Sequence, residues 1–209
     1  MIKDNIANLL TIGRLILLPV IVGMFFAGYL FPVNNSIAIW FAFLLFVIAA
    51  ASDYFDGVLA RKLDQVTELG TFLDPVSDKI FVATLLITLV AFGQISGLWT
   101  ILPILIIARE FTVSGIREYL GPKGIKVPVS SLAKWKTATQ MLALGFLIIS
   151  GLAPLAQTFG LGILFIATFL TLITGSQYLW IAVQHFQNEC CENSETEKKE
   201  KPKAKTKKK

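Results

Sequence analysis

The sequence predicts an all-α integral membrane protein, a bundle of six transmembrane helices with an N-terminal amphipathic interfacial helix. Three observations carry this. Of 209 residues, 55% are hydrophobic and 16% charged, with a mean hydropathy of +0.68, a balance outside the range of ordinary soluble domains. Six apolar windows are recognisable, most of them close to the length a helix needs to cross a hydrocarbon layer of about 30 Å. Charged residues fall at alternate connections only. The length allows one bundle, so the chain divides into an interfacial helix (1–14), a transmembrane domain (15–188) and a disordered Lys-rich cytosolic tail (189–209).

In the first segment Asn8, Thr11 and Arg14 recur every third residue among Ile6, Leu9, Leu10 and Ile12, which puts one polar stripe on an otherwise apolar helix. No small-residue cleavage site follows, so the segment is expected to be retained. It reads either as a plain interfacial anchor or as part of a binding site. The spans are expected at 15–31, 37–52, 72–92, 98–111, 132–151 and 159–183. The connections 32–36, 93–97 and 152–158 hold no charged residue, whereas Lys3, Arg14, Arg61, Lys62, Arg109, Arg117, Lys123, Lys126, Lys134 and Lys136 fall at the opposite side. Positive charge is retained in the cytosol, so both termini and the basic connections are expected there.

The net charge of +5 is concentrated at the end of the chain, because eight of the nineteen Lys and Arg lie in the last twelve residues. A solvated tail is the simplest reading, and a basic segment against anionic headgroups, at about 1 kcal/mol per charge, is the other. Cys190 and Cys191 are adjacent and have no cysteine partners elsewhere, which excludes a disulfide framework and a thiolate metal site. Juxtamembrane acylation is a minor alternative to bland reduced thiols.

The chemistry is carried by Asp53-x2-Asp56-Gly57-x2-Ala60-Arg61, followed by Gly70-x3-Asp74-x3-Asp78. At about 100° per residue, Asp53, Asp56, Gly57 and Ala60 share one helix face, and Gly70, Asp74 and Asp78 share a face of the next helix. A helical hairpin can therefore bring two pairs of acids together. An Asp deep in a span costs roughly 2.5–3.5 kcal/mol, and like charges about 4 Å apart repel by about 1–4 kcal/mol. Four acids so placed need cations. The motif holds no histidine, the single His being His185, so the ligands are hard oxygens, which suit Mg2+ or Mn2+ and argue against zinc or copper.

This pattern, D-x2-D-G-x2-A-R-x8-G-x3-D-x3-D, resembles the signature of the CDP-alcohol phosphatidyltransferase family and matches it at eight fixed positions over 26 residues. The resemblance implies that an acceptor hydroxyl attacks the β-phosphorus of a CDP-activated lipid or alcohol and that CMP leaves. It assigns Asp53, Asp56 and Asp74 as core ligands of two divalent cations, with Asp78 as general base and possible further ligand. Gly57, Ala60 and Gly70 then leave room for cytosine and ribose, and Arg61 meets phosphate. The competing reading of the glycines is close helix packing. Asn8 and Thr11, on an N-terminal helix over the site, are expected to contact the CDP-lipid. The resemblance also implies a homodimer, a bacterial cytoplasmic membrane location with the active site facing the cytosol, and no nucleic-acid partner.

A second constellation is Arg109-Glu110-Phe111-x2-Ser114-x2-Arg117, the basic loop with Lys123 and Lys126, then Lys134-Trp135-Lys136-Thr137 and Gln140. Flanking positive charge explains the loop lysines. It explains Arg109 and Arg117 less well, since their helix continues on both sides. Clustered cations suit a phosphate carried by the acceptor. The stretches A-R-E-x3-S-G-x-R and L-x-K-x-K-T-x2-Q resemble those of family members that use CDP-diacylglycerol and sn-glycerol 3-phosphate. Arg14, Arg109, Arg117, Lys134 and Lys136 are accordingly expected to bind the acceptor phosphate. The resemblance reaches His185 and excludes the tail. The alternatives are another acceptor within the family (inositol phosphate, serine or phosphatidylglycerol) and, from a different class, a cation transporter. Transporters bind ions near the midplane at broken helices, whereas these acids gather toward one face.

Overall fold

The computed structural model describes residues 6–63, 68–121 and 131–205, with side chains described at 12–33, 35–52, 73, 75–121 and 135–187. The described residues form six α-helices: α1 (Ile6–Leu30), α2 (Asn35–Leu63), α3 (Glu68–Ala91), α4 (Ile101–Leu120), α5 (Ser131–Ile149) and α6 (Pro154–Lys205). Two 3-10 turns, Pro32–Asn34 and Gly97–Thr100, join α1 to α2 and lead into α4. Among the described residues, four segments are long and apolar enough to cross a membrane: Ile12–Leu30, Asn35–Ser52, Gly97–Leu120 and Pro154–Gln187. Trp135–Ile149 is a shorter apolar helix.

One buried cluster draws on every helix. It holds Leu18 and Ile21 of α1, Phe46 of α2, Phe81, Leu85 and Leu89 of α3, Ile106 of α4, Leu144 and Leu147 of α5, and Leu164 of α6. The most extensive contacts are α1 with α2 and α5 with α6, while α3 touches α1, α4 and α5. Phe46 and Phe81 stack at 6.1 Å, packing α2 against α3 as well. The outward faces are apolar too: Val20, Phe41, Leu44, Ile87, Ile104, Phe165 and Phe169 are all exposed. Water would penalise such a surface and lipid does not, so the two-sided apolarity identifies an integral membrane protein.

Glycines matter at two kinds of place. Gly93 and Gly97, at φ +79° and +60°, turn the chain from α3 into α4 in a left-handed conformation that other residues adopt at a cost. Gly151 and Gly160 bring helices close, since an added Cβ would lie 2.7 Å from Ile39 Cδ1 and 2.8 Å from Leu147 Cγ respectively.

The described part of the segment 1–14 continues into the first span as α1 without a break. No helix breaker separates the stripe from the span, and the first proline, Pro19, lies well inside the helix. At the other end α6 is described as far as Lys205. The composition there suits a helix, since Glu, Lys and Ala are good helix formers and Glu195/Lys199 and Glu197/Lys201 fall at the favourable i, i+4 spacing.

Candidate active site

Charge is segregated along the bundle. Among the described residues, the charged side chains occupy the early turns of α1, α3 and α5 and the later turns of α4, which meet at one end. At the other end a cavity of about 340 Å3 is lined by groups such as Phe25, Tyr29, Ile39 and Phe92, with Asn35 and Gln94 for polarity. The charged end holds a cleft of about 430 Å3, in the size range of small-ligand sites.

Four helices build this cleft. From α3, Asp78 lines it with Pro75 and Lys79. Arg14 of α1, only 4% exposed, donates from Nη1 to Oδ1 of Asp78 at 3.0 Å. Arg14 therefore reaches the cleft through Asp78. From α4 come Arg109, Glu110, Ser114 and Arg117, spaced so that one helix face carries both arginines. Arg109 donates from Nη1 to Glu110 Oε1 at 3.0 Å and from Nη2 to Thr174 Oγ1 at 2.7 Å. From α5, Lys136 donates to the same Glu110 oxygen, and Thr137 and Gln140 line the wall. From α6, Tyr178 accepts from Arg117 Nη2 at 2.5 Å while its ring faces that guanidinium at 4.9 Å.

The electrostatic outcome is a surplus of cations. Glu110 is shared by Arg109 and Lys136, and Asp78 is held by Arg14, so the positive charges facing the cleft outnumber the carboxylates. Buried Nε of Arg109 and Nε2 of Gln140 have no hydrogen-bond partner among the described residues. Buried donors in excess of acceptors favour an anionic, oxygen-rich ligand.

Of the residues expected in the site, Asp78, Arg109, Arg117 and Lys136 share this cleft. Asp53, Asp56, Gly57, Ala60 and Arg61 lie on the helical backbone of α2, and Gly70 and Asp74 on that of α3, as the spacing argument requires. Their side chains lie outside the described ones, as do those of Asn8, Thr11 and Lys134. Among the described residues no three His, Cys, Asp or Glu side chains gather into a metal site. By residue type the four motif acids, three of them with side chains outside those described, would offer carboxylate oxygens of the kind hard divalent cations prefer.

Thr174, Gly175 and Tyr178 are functional neighbours that the motif reasoning did not assign. A signal for them exists: Thr168, Thr171, Thr174 and Tyr178 recur along one face of an otherwise apolar helix and are all buried.

An apolar helical bundle with a cation-rich cleft fits a membrane protein that handles phosphorylated molecules. The comparisons narrow the class. A profile described as CDP-alcohol phosphatidyltransferase matches residues 4–183. A protein of Rickettsia felis is 42% identical over 189 residues, covering 88% of this chain and 99% of the relative. A Rickettsia prowazekii protein is 43% identical over 189 residues, with the same coverage. A Pseudomonas fluorescens protein is 40% identical over 193 residues, covering 88% of this chain and 93% of its own. All three are named CDP-diacylglycerol–glycerol-3-phosphate 3-phosphatidyltransferase. The chain belongs to the CDP-alcohol phosphatidyltransferase family.

Proposed function

We propose that this protein transfers the phosphatidyl group of CDP-diacylglycerol to sn-glycerol 3-phosphate, giving phosphatidylglycerophosphate and CMP in phospholipid biosynthesis. The observation that carries the reading is the cleft in which Arg109, Arg117 and Lys136 face Asp78. It offers cations to a phosphate and, beside them, a carboxylate to a hydroxyl of the same small molecule. The similarity to relatives named for this activity over nearly their whole length supports it.

In this reading Arg109, Arg117, Lys134 and Lys136 clamp the acceptor phosphate, with Arg14 contributing through Asp78. Asp78 accepts the proton of the attacking hydroxyl, and Arg14 orients its carboxylate. Asn8, Thr11, Gly57, Ala60, Arg61 and Gly70 form the CDP-lipid side. Asp53, Asp56 and Asp74, with a share from Asp78, hold two divalent cations, Mg2+ or Mn2+. Such ions, when bound, neutralise the diphosphate and the departing CMP.

The membrane arrangement proposed is six spans, the shorter apolar α5 and α3 included. Both termini and the active site face the cytosol of a bacterial cytoplasmic membrane, by the asymmetry of charge. The first turns of α1 lie in the interface, the tail is cytosolic, and the working unit is a homodimer. The test is CMP release by purified protein from CDP-diacylglycerol, compared across sn-glycerol 3-phosphate, inositol phosphate, serine and phosphatidylglycerol. Preference for any acceptor but the first overturns the acceptor assignment.

A further inference from the structure

We propose that α6 is the frame of the acceptor-phosphate site, with Thr174, Gly175 and Tyr178 acting as positioning residues that fix where the guanidinium groups of Arg109 and Arg117 point. This rests on the reading of the cleft as the seat of the acceptor phosphate.

Thr174 is buried, and its hydroxyl donates within α6, to the carbonyl of Leu170 at 2.9 Å or of Thr171 at 3.1 Å. Its single proton is thereby committed, and its lone pairs are left for Nη2 of Arg109. The next residue has no side chain where the stem of Arg109 passes: a Cβ at Gly175 would lie 2.8 Å from both Cγ and Nε. One turn on, Tyr178 holds Arg117 by its hydroxyl and by its ring face.

The spacings differ in a way that matters. Arg109 and Arg117 are eight residues apart, a rise of about 12 Å, whereas Thr174 and Tyr178 are four apart, a rise of about 6 Å. Two long side chains leaving α4 at distant points are thus held from adjacent turns of α6, and both line the same cleft. Two guanidinium groups in one cleft suit a single phosphate. Fixing them before the ligand arrives removes part of the ordering cost of binding.

The test uses the full chain in detergent with CDP-diacylglycerol and Mg2+, reading separate KM values for the two substrates. Thr174→Val keeps the shape and removes the acceptor oxygen, and Gly175→Ala pushes on the Arg109 stem. Each is expected to lower acceptor kcat/KM about 10-fold while the KM for CDP-diacylglycerol stays within about 2-fold. Thr174→Ser should restore acceptor KM, and Tyr178→Phe, keeping the ring, should lose less than Tyr178→Leu. A merely structural role would move both KM values together and would not separate Ser from Val. Equal acceptor KM for Thr174→Val and Thr174→Ser, with Tyr178→Leu also unchanged, overturns the proposal. Arg109→Ala separates the failures: raised acceptor KM there leaves the cleft assignment standing, and unchanged acceptor KM removes both.

Discussion

Arg109→Lys keeps the formal charge of the cleft, so any loss it causes reports geometry. A guanidinium has five N–H donors in a plane. In this protein one nitrogen, Nη1, serves Glu110 at 3.0 Å and another, Nη2, serves Thr174 at 2.7 Å, while Nε has no partner among the described residues. The side chain can therefore be anchored on two sides and still present N–H groups to a phosphate. A lysine ammonium has three donors on a single atom and no fork, so it cannot keep both anchors and the ligand contact together. Losing one charge-assisted contact costs about 1.5–3 kcal/mol, which is roughly 10–150-fold in acceptor kcat/KM. Arg109→Ala should fall in the same range or below it. The assay is initial-rate CMP release with sn-glycerol 3-phosphate varied at saturating CDP-diacylglycerol, then the reverse, where the KM for the CDP-lipid should move by no more than about 3-fold. Glycerol supplies the decisive comparison: it carries no phosphate, so it should be a very poor acceptor for the parent protein, and Arg109→Ala should cost little further with it. An equal fold-loss with glycerol and with sn-glycerol 3-phosphate would refute the reasoning, as would an unchanged acceptor efficiency in both variants.

Excess chelator should abolish turnover, and Asp53→Asn, Asp56→Asn or Asp74→Asn should each lower kcat by at least about 100-fold with the protein still inserted, as checked by add-back of Mg2+ or Mn2+. Asp78→Asn is expected to keep CDP-diacylglycerol affinity within a few-fold and lose most of its turnover, read by binding and single-turnover measurements side by side. Gly160→Ala, remote from the cleft, forces Leu147 to shift and should cost about 1–3 kcal/mol, seen as a lower inactivation temperature with both KM values unchanged well below it.

Much of the fold is legible in single segments, because an apolar run of span length and the side on which Arg and Lys fall are properties of the segment itself. The helical spacing of Asp53, Asp56, Asp74 and Asp78 belongs to the same kind. Contacts between helices are not legible that way. Nothing local tells that Arg14 meets Asp78, 64 positions away, or that Arg109 lies across Gly175. The buried stripe of Thr168, Thr171, Thr174 and Tyr178 is a partial exception, since polar residues on one face of an apolar span must find partners. At the end of the chain two signals coexist: low apolar content argues against a packed core, while Glu/Lys spacing supports a helix, and α6 is described to Lys205. Likewise the polar stripe of Asn8, Thr11 and Arg14 marks a face and says nothing of where α1 begins or ends.

The two constellations have opposite charge, and that opposition organises the site. By sequence Asp53, Asp56, Asp74 and Asp78 belong to α2 and α3, and the cations Arg109, Arg117 and Lys136 that line the cleft belong to α4 and α5. Each half alone is costly at the end of an apolar bundle, and in the proposed function each is matched by a different substrate: a diphosphate with its cations for the acids, a phosphate for the basic cleft. Asp78 belongs to both, by sequence to the acidic motif and by position to the wall of the basic cleft, where Arg14 holds its carboxylate. In the proposed function an acceptor anchored by its phosphate presents its hydroxyl toward Asp78, at a distance set by its own carbon chain. Acceptor choice then becomes a matter of length between phosphate and hydroxyl as much as of charge. A phosphate-bearing alcohol with the wrong separation should bind in the cleft as an inhibitor competitive with sn-glycerol 3-phosphate without releasing CMP.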